Sequence, residues 1–224
     1  TTAGRVLRSL TREAGRTDRA ARALADLADS GPLAQALASL LPRPPRGTAL
    51  FGAALGAVAV VTAAWVWGPA WQLVLAAGLY VLLSAGAVAR PLRGALDWLV
   101  PPFFRAAEYG TVLVLAAKAE VNGALPAAFG LVAAVAYHHY DTVYRIRGDA
   151  GAPPQWLVRA IGGHEGRTLL VTVLAALLAP TEFKVALTAL AVTVALLVLV
   201  ESIRFWVTAH KTGAPAVHDE GEPA

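Results

Sequence analysis

Cysteine is absent from this sequence, and so is methionine, even at position 1. The first absence excludes disulfides, thiolate catalysis and Cys-ligated zinc or iron–sulfur centres. The second makes the chain read as a piece of a longer polypeptide or a processed product. Charge is scarce as well: 15% of the residues are Asp, Glu, Lys or Arg, where a soluble domain carries about a quarter. In their place stand hydrophobic residues, 57% of the chain, with a mean hydropathy of +0.56. They gather into long runs, the signature of bilayer-spanning helices rather than of a soluble core. The stretch 1–22 lacks the apolar core of a signal peptide. No segment reads as a separate globular domain, and no nucleic-acid partner is expected.

Six apolar segments are legible, at 49–67, 71–89, 103–119, 124–144, 161–179 and 183–206. Each is near the length a helix needs to cross about 30 Å of hydrocarbon. Gly68-Pro69, Asn122-Gly123 and Pro180-Thr181 supply turns between them. The third and fifth segments are short or begin with polar residues, so five spans with one re-entrant segment is the alternative. Ahead of them, Leu24, Leu27 and Ala28, then Leu33, Leu37, Leu40 and Leu41, recur at helical spacing on either side of Gly31-Pro32. Arg12, Arg16 and Arg19 lie on the other face. This predicts either an interfacial helix on anionic lipid or a linker helix to an upstream domain. Pro42 to Arg46 breaks it. The expected fold is therefore an all-α integral membrane protein, a six-transmembrane-helix bundle preceded by an amphipathic helix. Its regions are a basic N-terminal region at 1–46, the membrane domain at 47–208 and a disordered tail at 209–224.

Lys and Arg placement predicts the orientation. Eight arginines in the N-terminal region, then Arg90, Arg93, Arg105, Arg145, Arg147, Arg159, Arg167, Arg204 and Lys211 fall on one side, against Lys118 and Lys184 on the other. The basic side is expected in the cytoplasm, with both ends there, in an inner membrane. Asp97, Glu108, His138, His139, Asp141, Arg145, Arg147, His164, Glu165 and Arg167 all lie near that side, which predicts one cytoplasm-facing polar cavity. Ionisable groups in spans pair, line wet cavities or work. His138, Asp141 and Arg145, at i, i+3 and i+7, share a helix face. They read as a proton-transfer pair beside a phosphate-holding Arg, or as a packing lock. Gly162 to Thr168 opens a helix with glycines and Arg167, a pattern that suits an anion at a helix N-terminus and that is also common in plain loops. No spacing matches a recognised zinc pattern.

Ala85-Gly86-Ala87-Val88-Ala89-Arg90 resembles the opening of the CDP-alcohol phosphatidyltransferase signature, Asp-Gly-x-x-Ala-Arg. The resemblance implies six spans, an amphipathic N-terminal helix and a cytoplasmic active site. In that family four aspartates hold divalent metal and the CDP diphosphate, and the last acts as base. It also makes Arg145-Ile146-Arg147 and the Gly-His-Glu-Gly-Arg-Thr stretch look like an acceptor-phosphate region. Here the first aspartate is Ala85, and the continuation falls on Phe103 and Ala107. Asp97 and Glu108 lie nearby but off register. Tyr137-His138-His139-Tyr140-Asp141 and the Gly-His-Glu-Gly-Arg stretch are similar to an uncharacterised actinobacterial membrane domain found behind nucleotidyltransferase and CDP-alcohol transferase modules.

Two functions follow as expectations. The first is a non-catalytic accessory, anchoring or dimerisation domain of a phospholipid or polyol-phosphate transferase, with lipids, an upstream catalytic module or a second copy as partners. The second is an active diverged transferase. In it Asp97, Glu108, His138 and Asp141 are the catalytic candidates, and Arg90, Arg145, Arg147, His164 and Arg167 hold substrate phosphate. A divalent metal is the only cofactor considered, and no intact motif supports it.

Overall fold

The structure is a computed structural model that describes residues 2–42, 45 and 47–211, with side chains described over 15–42, 45 and 47–209. It is all-helical, with no strand among the described residues. Part of the Pro42 to Arg46 break and all of the tail from 212 lie outside the described residues, whereas 209–211 belong to the last helix.

Two helices, α1 (Thr2–Leu27) and α2 (Pro32–Leu40), form the N-terminal region. Their elbow is made by Asp29, in the left-handed region at φ 51°, and by Pro32 in the first turn of α2, where its missing N–H costs nothing. Then come α3 (Ala49–Trp67), α4 (Trp71–Val88), a 3-10 turn at Asp97–Leu99, α5 (Val100–Lys118) and α6 (Ala124–Arg147). The short α7 (Gln155–Ile161), α8 (Gly163–Leu177) and α9 (Pro180–Lys211) complete the chain. The helix boundaries follow local chemistry. Gly68 and Pro69 stop α3, Pro101 and Pro102 sit in the first turn of α5, and Gly162, at φ 84°, separates α7 from α8.

Helices occupy all six expected intervals, and three of them, α3, α4 and α9, are long and apolar enough to cross a membrane. The others differ for physical reasons. The helix α8 has 15 residues, about 22 Å at 1.5 Å per residue, and α5, α6 and α8 all carry buried ionisable side chains. The distribution of polarity supports membrane association. Phe51, Leu55, Val58, Leu75, Leu79, Leu196 and Ile203 are exposed on α3, α4 and α9, while Glu108, His138, Asp141, Arg145 and Arg167 are buried. Such large apolar outer faces call for a non-aqueous neighbour.

The helix α3 packs against α4 and α5, α8 against α4 and α5, and α9 against α6. Buried Ala53, Gly56, Ala57, Val60, Ala63 and Ala64 let α3 approach its neighbours closely, the usual solution where lipid is as apolar as the side chains. The N-terminal helices cover one end of this bundle, α1 against α6 and α2 against α4 and α8.

Candidate functional site

The elbow between α1 and α2 meets the start of α8 so closely that neither side has room for a side chain. A Cβ on Gly31 would strike the Gly162 carbonyl, and one on Gly163 would strike the Gly31 backbone. This approach lets each segment satisfy the other's backbone. Glu165 accepts from the Gly31 and Ala34 N–H groups, both at 3.1 Å, and so caps the N-terminus of α2 with a carboxylate. In return the His164 N–H donates to the Asp29 carbonyl at 3.2 Å. The expected phosphate cradle at Gly162 to Thr168 is thus taken up by the chain's own elbow.

Asp29 is carried inward by this elbow to meet Arg167, which is 1% exposed. Arg167 donates to Glu108 through Nε at 2.5 Å and Nη2 at 3.0 Å, and through Nη2 to Asp29 Oδ2 at 2.7 Å. A guanidinium fork between two carboxylates suits desolvated surroundings, because it spreads its charge over several short bonds. His138 and His139 both turn Nε2 to Asp29, each at 3.3 Å. The Tyr109 hydroxyl is 3.1 Å from His139 Nδ1. Burial pushes the Asp29 carboxyl up, but Arg167 and the two histidine bonds outweigh it and hold Asp29 well below the usual carboxylate range.

A second set clamps α6 to α9. Arg145 pairs with Asp141 at 2.7 Å and with Glu201 at 3.0 and 2.7 Å, and lies 3.8 Å from the Phe205 ring centroid. Asp141 also accepts from Ser202 Oγ and Trp206 Nε1, at 3.1 and 2.8 Å. In a third contact, His164 stacks on Phe104 with centroids 4.0 Å apart, and its Nδ1 lies 2.6 Å from the Tyr80 hydroxyl.

These sets divide the sequence candidates differently from the expectation. His138 bonds to Asp29, while Asp141 and Arg145 turn to α9, so the shared helix face is split between two neighbours. The single pocket expected for Arg145, Arg147 and Arg167 is not formed: the first and last sit in separate ion-pair sets, and Arg147 is exposed. Asp97 accepts from the Gly94 N–H at 2.7 Å and so holds its own turn, apart from Glu108. His164 is enclosed by Tyr80 and Phe104. Arg90 is half-buried, and its Nε has no partner within the chain. Among the described residues, no three His, Asp or Glu side chains group to hold a metal ion.

A family model matches residues 18–224. The chain belongs to the Family of unknown function (DUF5941). No curated protein and no solved structure matches this DUF5941 chain. The matched span takes in the elbow, both ion-pair sets and the glycine contact.

Asp29 is the residue that sequence reasoning missed most. Followed by Ser30-Gly31-Pro32, it reads as an ordinary turn residue, and only the packing of α1 against α6 and of the elbow and α2 against α8 makes it a buried counter-ion. Glu201 was more accessible to inference. It ends the apolar run of α9, where a lone acid calls for a partner.

This DUF5941 chain also contains a cavity of about 330 Å³. Asp26, Asp29, Ser30 and Gln35 line it from the elbow, Arg90 from beyond α4, and His138 and Thr142 from α6.

Proposed function

We propose that this chain is a six-span membrane domain with its basic end in the cytoplasm, serving as a non-catalytic accessory domain that anchors or dimerises a lipid- or polyol-phosphate-processing enzyme. The observation that carries this reading is that its buried acids are all engaged by partners inside the chain. Among the described residues, Asp29 and Glu108 share Arg167, Asp141 shares Arg145 with Glu201, and Glu165 and Asp97 accept from backbone N–H groups. Metal-assisted phosphoryl chemistry needs carboxylate oxygens that converge with room to ligate, and these are committed elsewhere. Ala85, Phe103 and Ala107 at the positions of the resembled signature point the same way.

Aromatic belts support the six crossings. Trp65, Trp67 and Trp71 are exposed around the α3–α4 turn, where the Lys118 ammonium lies 5.8 Å from the Trp65 ring. Trp98, Tyr140, Tyr144 and Trp156 are exposed toward the other, basic end. Trp and Tyr favour the two headgroup levels, and Lys and Arg the cytoplasmic one. The short α8 is consistent with a crossing because the elbow covers its basic end.

Two experiments test the reading. Reporter fusions at Asn122 and Pro180 are expected on the outer side; a cytoplasmic result at either one removes the six-span topology. The purified chain in nanodiscs, given CDP-diacylglycerol or a CDP-polyol with Mg²⁺ or Mn²⁺, is expected to give no turnover. Turnover that disappears in a folded Asp97→Ala or Glu108→Gln variant identifies an active diverged transferase instead, the reading favoured by the cavity beside Arg90.

A further inference from the structure

Two cavities open side by side along one flank of α9. The first, about 200 Å³, is largely apolar, walled by Leu190, Thr193 and Leu197 on α9 and by Ala160, Ile161 and Leu170 across from them. Arg167 stands at its back but is 1% exposed and bound to Glu108 and Asp29. The second, about 760 Å³, is formed by Val200, Glu201, Arg204 and Phe205 of α9 with Trp156 of α7. The two adjoin, since Leu197 and Val200 lie about one turn apart on α9, as Trp156 and Ala160 do on α7.

Helix geometry fixes their depth. Counted from Pro180 along an upright α9 at 1.5 Å per residue, Leu190 stands about 15 Å in and Val200 about 30 Å in. In the membrane reading proposed above, on which this inference rests, those levels are the bilayer midplane and the inner edge of its hydrocarbon. The apolar cavity thus faces the acyl chains of the cytoplasmic leaflet, and the larger one faces its headgroups. Trp156, 55% exposed, is a residue that favours the headgroup level.

The charges of the larger cavity are separated. Asp141 and Glu201 share the single guanidinium of Arg145, so that set carries one negative charge in surplus. Glu201 keeps 11% of its side chain exposed, in the cavity wall. One turn on, Arg204 is exposed, and among the described residues its guanidinium has no ion pair or hydrogen bond. A lone anion here would meet the surplus acid, and a lone cation would meet Arg204. A zwitterion satisfies both, and the two residues are about 4.5 Å apart along the helix axis, within reach of charges joined by a two-carbon bridge.

We propose that this flank of α9 binds one phosphatidylethanolamine molecule of the cytoplasmic leaflet. An acyl chain fills the apolar cavity, Arg204 holds the phosphodiester, and the ammonium donates to Glu201. The ammonium confers the selectivity, because its N–H groups can make a charge-assisted bond to the carboxylate. The trimethylated choline has no N–H to donate, and phosphatidylglycerol brings no cation. The site takes no part in turnover and serves an accessory or a catalytic domain equally.

The test is native mass spectrometry of the full chain, delipidated in detergent and titrated with phosphatidylethanolamine, its N-methylated series up to phosphatidylcholine, and phosphatidylglycerol. One phosphatidylethanolamine is expected to bind about tenfold more tightly than phosphatidylcholine, the worth of one charge-assisted hydrogen bond, with affinity falling as methyls replace N–H groups. Arg204→Gln removes no contact within the described chain and should weaken phosphatidylethanolamine binding about tenfold. Thr193→Trp, at an exposed position, fills the apolar cavity and should weaken it as well. Equal affinity for phosphatidylethanolamine and phosphatidylcholine overturns the assignment, and so does tightest binding of phosphatidylglycerol. It is overturned too if both variants, folded by circular dichroism, bind phosphatidylethanolamine as wild type does; should either not fold, the methylation series decides. Carbonate extraction separates the two levels of the argument. A chain washed off membranes loses the membrane reading and this site with it, whereas one that stays and shows no headgroup preference loses the site alone.

Discussion

Replacing Arg167 with methionine removes the cation that bridges Glu108 and Asp29 while keeping most of the side-chain volume. Both carboxylates are nearly inaccessible, Glu108 at 1% and Asp29 at 3% exposure, so water cannot substitute for the guanidinium. Breaking a buried pair by removing one partner costs about 3–5 kcal/mol, and here two acids are stranded at once. For a chain of this size about 2–4 °C of Tm accompanies each kcal/mol, which gives an expected fall of about 6–20 °C. Thermal unfolding in detergent, followed by circular dichroism and tryptophan fluorescence, measures it. The same physics predicts a rescue. Adding Glu108→Leu and Asp29→Asn to Arg167→Met takes the stranded charges away and leaves His138 and His139 an amide oxygen to donate to. This triple variant should recover more than half of the lost Tm, because a well-packed apolar replacement of a buried ion pair is often neutral. A single variant within about 2 °C of wild type would refute the reasoning, and so would a triple variant as unstable as the single one, since the loss would then come from shape and not from charge.

Gly31→Ala should destabilise the chain and expose the elbow to protease, because its Cβ meets the Gly162 carbonyl; Gly78→Ala on α4, with open space around it, should be neutral or slightly stabilising. Limited proteolysis compares the two directly. Asp29 is held below the ordinary carboxylate value of 3.8, so its contribution to stability is complete above that pH and is lost as pH falls through the lower folded-state value. Melting curves taken downward from 3.8 should therefore steepen, and Asp29→Asn should flatten that limb. Trp206→Phe removes one donor to the charged Asp141 and should cost about 2 kcal/mol, whereas Arg145→Gln strands Asp141 and Glu201 and should cost about 3–5 kcal/mol. Unfolding in detergent ranks them, and equal losses would contradict the clamp between α6 and α9.

Hydrophobic patterning by itself determined the helical class and the position of almost every helix. Apolar runs bounded by Gly68-Pro69, Asn122-Gly123 and Pro180 carry their own start and stop signals, and those are local properties of the chain. Patterning also showed that polar residues gather toward one end, because an ionisable group in an apolar run is conspicuous wherever it folds. Which of them meet was decided only by tertiary structure. The i, i+3, i+7 spacing put His138, Asp141 and Arg145 on one helix face, yet that face is wide enough to be shared between two neighbours, the elbow and α9. The Gly162-Gly163 turn looked like an anion cradle because glycine frees backbone N–H groups; here the same freedom admits Gly31, and Glu165 supplies the negative charge to α2. Asp29 shows the limit most plainly. Its neighbours in sequence mark a turn, and its role as the counter-ion of Arg167 arises from a residue more than a hundred positions away, a pairing that depends on how α1 and α2 fold back over the bundle and not on any local pattern.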